Sequence, residues 1–88
     1  MKIKKGFVLR RVLDEAIVIA SGEVSKSFHG MVKLNDSAAD IWEWIAAGCE
    51  ETEVVSRLAE KYELDEKKAA ADVESMVSQM VDAGLIEL

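Results

Sequence analysis

The chain has 88 residues, half of them hydrophobic, and this length supports one domain with its own core but not two. It carries a net charge of −6 and has a single cysteine, which excludes an intramolecular disulfide and is typical of a reducing compartment. No apolar stretch reaches the roughly 18 residues of a membrane span, and Arg10 and Arg11 interrupt the apolar run near the start, so we expect a cytoplasmic protein without a signal peptide.

The first part of the sequence predicts strands. Apolar and polar residues alternate over Lys5–Leu13, an acidic turn follows, and Ala16–Ala20 is a β-branched run, so the two segments are predicted to form a hairpin. Ser21–Gly30 is rich in serine and glycine and is predicted to be a loop, with at most a brief extended piece around Val24. Met31–Leu34 is predicted to be a third, short strand.

After the third strand the hydrophobic period changes to about 3.6 residues, which predicts three helices. Asn35 or Ser37 is placed to cap the first helix, Thr52 the second and Asp65 the third. The residues predicted to face the core are Ala38, Ile41, Trp42 and Ile45 in the first helix, Val54, Val55, Leu58, Ala59 and Tyr62 in the second, and Ala69, Val73, Met76, Val77 and Met80 in the third. The apolar tail, residues 85–88, is predicted to pack back on the core.

Together these elements predict a single α+β domain over residues 1–88. A small three-stranded antiparallel sheet cannot bury its apolar face alone, so the three helices that follow it must cover that face. This order of elements is the outline of a winged helix-turn-helix.

The sequence contains no recognisable catalytic or metal-binding pattern. His29 is the only histidine and falls in the predicted loop, and Cys49 has no second thiol. The carboxylates occur singly along the helices, as on a solvated helix face, rather than at the spacings of a metal site. We therefore expect a protein that is not an enzyme and that holds no metal or cofactor.

The charges divide between the two parts of the chain and argue against nucleic-acid binding. Residues 1–34 carry seven basic and three acidic side chains, a net charge of +4, whereas residues 35–88 carry four basic and fourteen acidic ones, a net charge of −10. Duplex DNA attracts clusters of Lys and Arg, and the predicted third helix, residues 65–83, has a net charge of −3. Two interpretations of the basic part stay open: it serves solubility, or it attracts an acidic partner.

The third strand, Met31–Leu34, is predicted to lie at an edge of the sheet if the strand order follows the chain. Lys33 is its only charged residue, although natural edge strands are usually protected against further pairing. An extended peptide could add to this edge through backbone hydrogen bonds. The residues leave two alternatives open, a short edge exposed to water and an edge paired with a second copy in a homodimer.

An ordered set of residues over nearly the whole chain resembles one protein family. The set includes Leu34-Asn35, Ile41-Trp42, Gly48, Thr52, Leu58, Tyr62, Asp72-Val73 and Ala83-Gly84-Leu85-Ile86. It resembles the PqqD-like family, whose members are also called recognition elements for the precursors of RiPPs, ribosomally made peptides that enzymes later modify. The resemblance implies a winged helix-turn-helix that binds peptide rather than DNA.

In that family the leader segment of the precursor adds as a strand beside the third strand, in the cleft between this strand and the third helix. The precursor is then presented to a modifying enzyme, often a radical S-adenosylmethionine (radical SAM) enzyme. Carried over to this sequence, the implied peptide-binding residues are Met31, Val32, Lys33, Leu34, Ala69, Asp72, Val73 and Met76. Either flank of the third helix can face the cleft. We predict that Val32→Pro and Leu34→Asp each abolish leader binding, and Val32→Pro tests the open edge only if the backbone of Val32 points to that edge and the fold survives.

Overall fold

The computed structural model describes residues 1–26 and 30–88 of the chain, so the predicted loop histidine, His29, lies outside the described residues. Strands β1 to β4 span Lys2–Ile3, Phe7–Val12, Glu15–Ala20 and Met31–Leu34, helices α1 to α3 span Asp36–Ala46, Glu51–Tyr62 and Glu66–Asp82, and β5 spans Ile86–Glu87. The predicted α+β class, with a three-stranded antiparallel sheet followed by three helices, is confirmed.

The three-stranded sheet has the order β2-β3-β4, and its alternate residues face opposite sides. Its register places Leu9, Val18 and Val32 in one cross-strand row, and Val18 is fully buried beneath the helices. The turn between β2 and β3 consists of Leu13 and Asp14 and lies one residue earlier than predicted. Leu13 has a φ of 58°, a region that side chains with a Cβ rarely adopt.

Two elements were not predicted from the sequence. The ends of the chain pair as a two-stranded sheet, with Ile3 opposite Ile86, and the Lys4 amide donates to the Leu85 carbonyl at 2.9 Å. Strands of two residues have no detectable periodicity, and these depend on partners at opposite ends of the chain.

A 3-10 helix, Gly22–Lys26, stands where the extended piece of the loop was predicted. Leu85 and Ile86 are buried, so the prediction that the tail packs on the core is confirmed for these two residues, whereas Leu88 is 88% exposed.

Two of the three predicted helix caps are confirmed. Asn35 caps α1 and Asp65 caps α3, each through a side-chain oxygen that accepts a backbone N–H bond, at 2.9 and 2.7 Å respectively. The prediction of Thr52 as the cap of α2 was wrong. The N-cap is Glu50, whose backbone is extended and whose side chain makes no cap bond, and Thr52 lies within the first turn of α2, which begins at Glu51.

The core lies between the inner face of the sheet and the three helices. The five residues predicted to face the core from α3 are all buried, whereas in α1 the buried alanine is Ala39 rather than Ala38. Val54 and Leu58 of α2 are buried, and the other three residues predicted in α2 are partly buried. No helix within residues 1–26 and 30–88 is long and apolar enough to cross a membrane.

Asp40 of α1 bonds to two residues at the end of α2 and so holds these two helices together. Its carboxylate accepts a hydrogen bond from the Tyr62 hydroxyl at 2.5 Å and lies 2.8 Å from Lys61 Nζ, and its side chain is 13% exposed. Burial acts to raise the pKa of Asp40, but the hydrogen bonds from Lys61 and Tyr62 together outweigh burial and hold the pKa below its usual 3.8. The same hydrogen bond, with burial, raises the pKa of Tyr62 to about 12.

Candidate functional site

A groove lies between strand β4, the start of α1 and one flank of α3. Its volume is about 420 Å³, within the range of about 300–1,000 Å³ that is typical of ligand pockets. Apolar side chains from all three elements form its floor, and polar side chains form its rim. The groove is lined by Val32, Lys33, Leu34, Asn35, Ser37, Ala38, Ile41, Asp72, Ser75, Met76, Gln79 and Met80.

The structure brings five of the eight predicted peptide-binding residues to this groove. The five are Val32, Lys33, Leu34, Asp72 and Met76. Met31 also lies in β4 but does not line the groove, and its side chain, like that of Lys33, points to the side of the sheet opposite Val32, with 64% of the Met31 surface exposed. Ala69 and Val73 are fully buried, so direct contact between either residue and a peptide would require the core to open.

The sequence did not identify Ser75, Gln79 and Met80, because it left open which flank of α3 faces the cleft. Together with Asp72 and Met76, these residues follow the i, i+3, i+4, i+7, i+8 spacing of one helix flank. The predicted α3 residues Ala69 and Val73 lie on the side of the helix that faces the core rather than on this flank. A usable signal was present, because two methionines four residues apart beside polar neighbours mark the border of the buried stripe.

The phase of the strand pairing determines which backbone groups of β4 are open. In an antiparallel pair, hydrogen-bonded and non-hydrogen-bonded residue pairs alternate along the strands. The Ser21 amide donates to the Gly6 carbonyl at 2.7 Å, and the same phase makes Val8 and Ile19 a hydrogen-bonded pair. The odd-numbered residues of β3 therefore bond to β2, and its even-numbered residues turn their backbone groups toward β4.

It follows that Val32 and Leu34 use their backbone groups to bond to β3, opposite Val18 and Ala16. The amide and carbonyl groups of Met31 and Lys33 point away from the sheet. No described residue is hydrogen-bonded to these outward groups, because β4 is the last strand of its sheet. The condition attached to the Val32→Pro prediction is therefore not met, and the open edge belongs to its two neighbours.

Two exposed ion pairs involve residues that line the groove, although the side chain of Lys33 lies on the other side of the sheet. Lys33 Nζ lies 2.9 Å from the Glu15 carboxylate, and Lys68 Nζ lies 3.0 Å from the Asp72 carboxylate. Such exposed pairs contribute little net free energy, so a ligand group of matching charge can replace one partner easily. Lys68 therefore offsets the charge of Asp72 beside the groove, and Lys33 is available to an acidic side chain of an added strand that points to the other side of the sheet.

The arrangement of the groove is suited to binding an extended chain. Within the described part of the chain, no group of three or more His, Cys, Asp or Glu side chains is placed to hold a metal ion. Cys49 is partly buried just after α1 and is not a lining residue of the groove. What the site offers is a row of open backbone groups beside an apolar floor.

Comparisons with known proteins agree with this architecture. The model of the family described as coenzyme PQQ synthesis protein D (PqqD) matches residues 15–86, which include β3, β4 and all three helices. Among solved structures, the chain is similar to TbiB1 in complex with the TbiA(beta) leader peptide, with a TM-score of 0.83 and 20% sequence identity. The similarity covers 99% of this chain and 95% of that one, and at such low identity it shows the fold alone. No curated protein matches the sequence.

Proposed function

The chain belongs to the PqqD family, and on this premise we propose that it binds the leader segment of a ribosomally made precursor peptide and presents the precursor to a modifying enzyme. The observation that carries the proposal is the open backbone edge of Met31 and Lys33 directly beside the apolar groove. The similar fold of TbiB1, whose structure contains a leader peptide, supports a leader peptide as the ligand.

In this proposal the leader becomes a fourth strand of the sheet, next to β4. Its backbone pairs with the outward groups of Met31 and Lys33, and its alternate side chains enter the groove. There they meet Val32 on one side and Met76 and Met80 of α3 on the other. Methionine side chains adapt to differently shaped partners, so this wall suits apolar leader residues of more than one kind.

The binding free energy requires contributions from both the open backbone edge and the groove. A short added strand forms about four hydrogen bonds, each contributing about 0.5–1.5 kcal/mol net. Micromolar affinity needs about 8 kcal/mol after an association cost of at least about 4 kcal/mol. Backbone pairing alone therefore falls short. Two or three apolar leader side chains in the groove, at about 1.5–3 kcal/mol each, supply the difference.

The chemistry on the precursor is assigned to a separate enzyme. The described residues offer a binding groove and no cluster of metal-ligating side chains, so the chain acts as a carrier in this proposal. As the family resemblance implies, the partner enzyme is proposed to be a radical SAM enzyme or another peptide-modifying enzyme. Nucleic acid is not among the proposed partners, because α3 is acidic.

The test of leader binding uses fluorescent peptides that tile the short reading frames encoded beside the gene for this chain. Anisotropy titrations are expected to find a peptide that binds with a micromolar dissociation constant. Ser75→Arg, which places a long side chain in the groove, should weaken binding at least tenfold. Ser78→Arg, on the other flank of the same helix, should leave the dissociation constant within twofold of wild type.

Failure of every tiled peptide to bind below about 100 μM, an affinity of about 5.5 kcal/mol, would contradict the proposal. Equal losses in Ser75→Arg and Ser78→Arg would also contradict it, because the groove would then not be the site. Each variant needs a thermal melt by circular dichroism, which establishes that the fold survives the substitution.

The open edge also favours a second candidate function, a homodimer in which β4 pairs with β4 of another copy. Sedimentation of the chain alone at micromolar concentration measures this directly. If leader and second copy use the same backbone groups, addition of the leader should return such a dimer to monomers.

A further inference from the structure

The three-stranded sheet has a second face, which turns away from the helices and which we call the outer sheet face. Because alternate residues point to opposite sides, cross-strand partners share a face. Its two central rows are Val8, Ile19 and Met31, and Arg10, Ile17 and Lys33. Val8, Ile17 and Ile19 are partly exposed and are not among the residues that pack on the core.

Large apolar side chains are exposed at the margins of this face. Met31 is 64% exposed, and Val12, at the end of β2, is 55% exposed. Leu13 in the adjoining turn is 97% exposed and holds a φ of 58°, where glycine would be free of strain. A leucine at this position contributes neither burial nor a relaxed backbone to the fold. Clustered apolar groups of this kind are typical of protein interaction sites.

The charges of the face indicate the chemistry of a partner. Arg10 is exposed and forms no ion pair or hydrogen bond with any residue in 1–26 or 30–88. Lys33, in the same row, shares its charge with Glu15. Among the described residues, the face is thus largely apolar with one available cation, Arg10, on the edge strand β2. A protein surface that combines an apolar patch with carboxylates is complementary to it.

A second copy of the chain fits this face poorly. In a twofold-symmetric dimer the same patch meets itself, so each copy would bring the charge of Arg10 against a patch that carries the same net positive charge. Three strands about 4.8 Å apart and about 20 Å long give an area of roughly 300 Å². Stable dimers bury about 800 Å² on each partner. The area suits a transient contact rather than a stable dimer.

We propose that the outer sheet face is the docking surface for the enzyme that modifies the bound precursor, an inference that rests on the proposed function. A leader strand beside β4 would widen this face by one strand, because its alternate side chains point to the same side as Met31 and Lys33. The enzyme then contacts the sheet and the leader together. It binds the loaded chain more tightly than the free chain, and by reciprocity it raises leader affinity by the same factor.

The experiment titrates the full-length chain, with and without the bound leader peptide, against each purified enzyme encoded in the same gene cluster. Arg10→Glu and Val12→Lys are expected to weaken the complex with one of these enzymes at least tenfold. Lys67→Glu, the same charge reversal on exposed α3, is the matched control and should remain within twofold of wild type. Leader affinity in the absence of enzyme should stay within twofold for all three variants, because β2 lies two strands from the open edge.

The outcomes separate this inference from the proposed function. If the leader binds but Arg10→Glu and Val12→Lys bind the enzyme as wild type does, the docking surface is wrong and leader binding stands. Absence of any enzyme complex, or a dimer of the chain that Arg10→Glu dissociates, also overturns the docking surface. If no leader binds to the wild-type chain, the proposed function fails and this inference falls with it.

Discussion

The two edges of the three-stranded sheet are alike in topology but differ in what surrounds them. At the β2 edge the Phe7 amide already donates to the Lys4 carbonyl at 3.4 Å, and the Arg11 guanidinium holds the Glu43 carboxylate of α1. At the β4 edge the outward groups of Met31 and Lys33 have no described partner, and an apolar groove lies next to them. An unpaired strand is thus a plausible binding edge only where neighbouring elements leave room for side chains of the guest.

The largest expected effect contrasts two neighbouring residues of β4. Val32→Pro removes an amide that bonds to β3 and leaves a Val18 backbone group unpaired, so it should lower the free energy of unfolding by about 1–3 kcal/mol. Lys33→Pro removes an amide that points to solvent and should cost clearly less. Urea denaturation measures both, and equal losses would show that the phase assigned to the strand pairing is incorrect.

The second prediction contrasts the two edges through leader binding. Lys33→Pro removes one backbone donor to the guest strand and should weaken leader affinity about tenfold, which corresponds to about 1.4 kcal/mol. Arg11→Pro removes the equivalent outward amide on the β2 edge and should leave the affinity within twofold. Anisotropy titrations of both variants test this. Loss of leader binding in Arg11→Pro but not in Lys33→Pro would show that the leader pairs with the β2 edge rather than with the β4 edge.

The smallest expected effect concerns the contact between α1 and α2 rather than the edge of the sheet. Tyr62→Phe removes one hydrogen bond to Asp40 and should cost about 1 kcal/mol of unfolding free energy at neutral pH. Because the folded state lowers the pKa of Asp40, its contribution is complete above the usual value of 3.8 and is lost as the pH falls below it. The difference between Tyr62→Phe and wild type should therefore shrink in acid.

Denaturation of wild type and Tyr62→Phe at several pH values measures this effect, and leader affinity at neutral pH should not change. A difference that grows as the pH falls would contradict the assigned role of Asp40. A large loss of leader affinity would instead mean that the α1–α2 link also shapes the groove.

The sequence predicted what depends on local pattern. The buried stripe of α3 and the caps Asn35 and Asp65 follow from periodicity and from side chains that reach their own backbone, and the structure has both. Features that depend on distant partners were missed. Ile3 and Ile86 pair across the whole chain, and no local window contains both.

The candidate site shows the same division. Val32, Lys33 and Leu34 of the predicted strand line the groove and Met31 does not, and which of these residues turn their backbone outward depends on the phase of the β2–β3 pairing, which the bond between Gly6 and Ser21 fixes. The flank of α3 that lines the groove depends on how that helix rotates against β4 and α1. The sequence supplied the elements of the site, and tertiary packing supplied its orientation.

Amide hydrogen exchange by NMR, with and without the bound leader peptide, tests strand addition most directly. The amides of Met31 and Lys33 should exchange fast in the free chain and at least tenfold more slowly in the complex, because the guest strand covers them. Val32 and Leu34, which already bond to β3, should be slow in both states. If a saturating concentration of the leader peptide leaves the exchange rates of the Met31 and Lys33 amides unchanged, strand addition is contradicted.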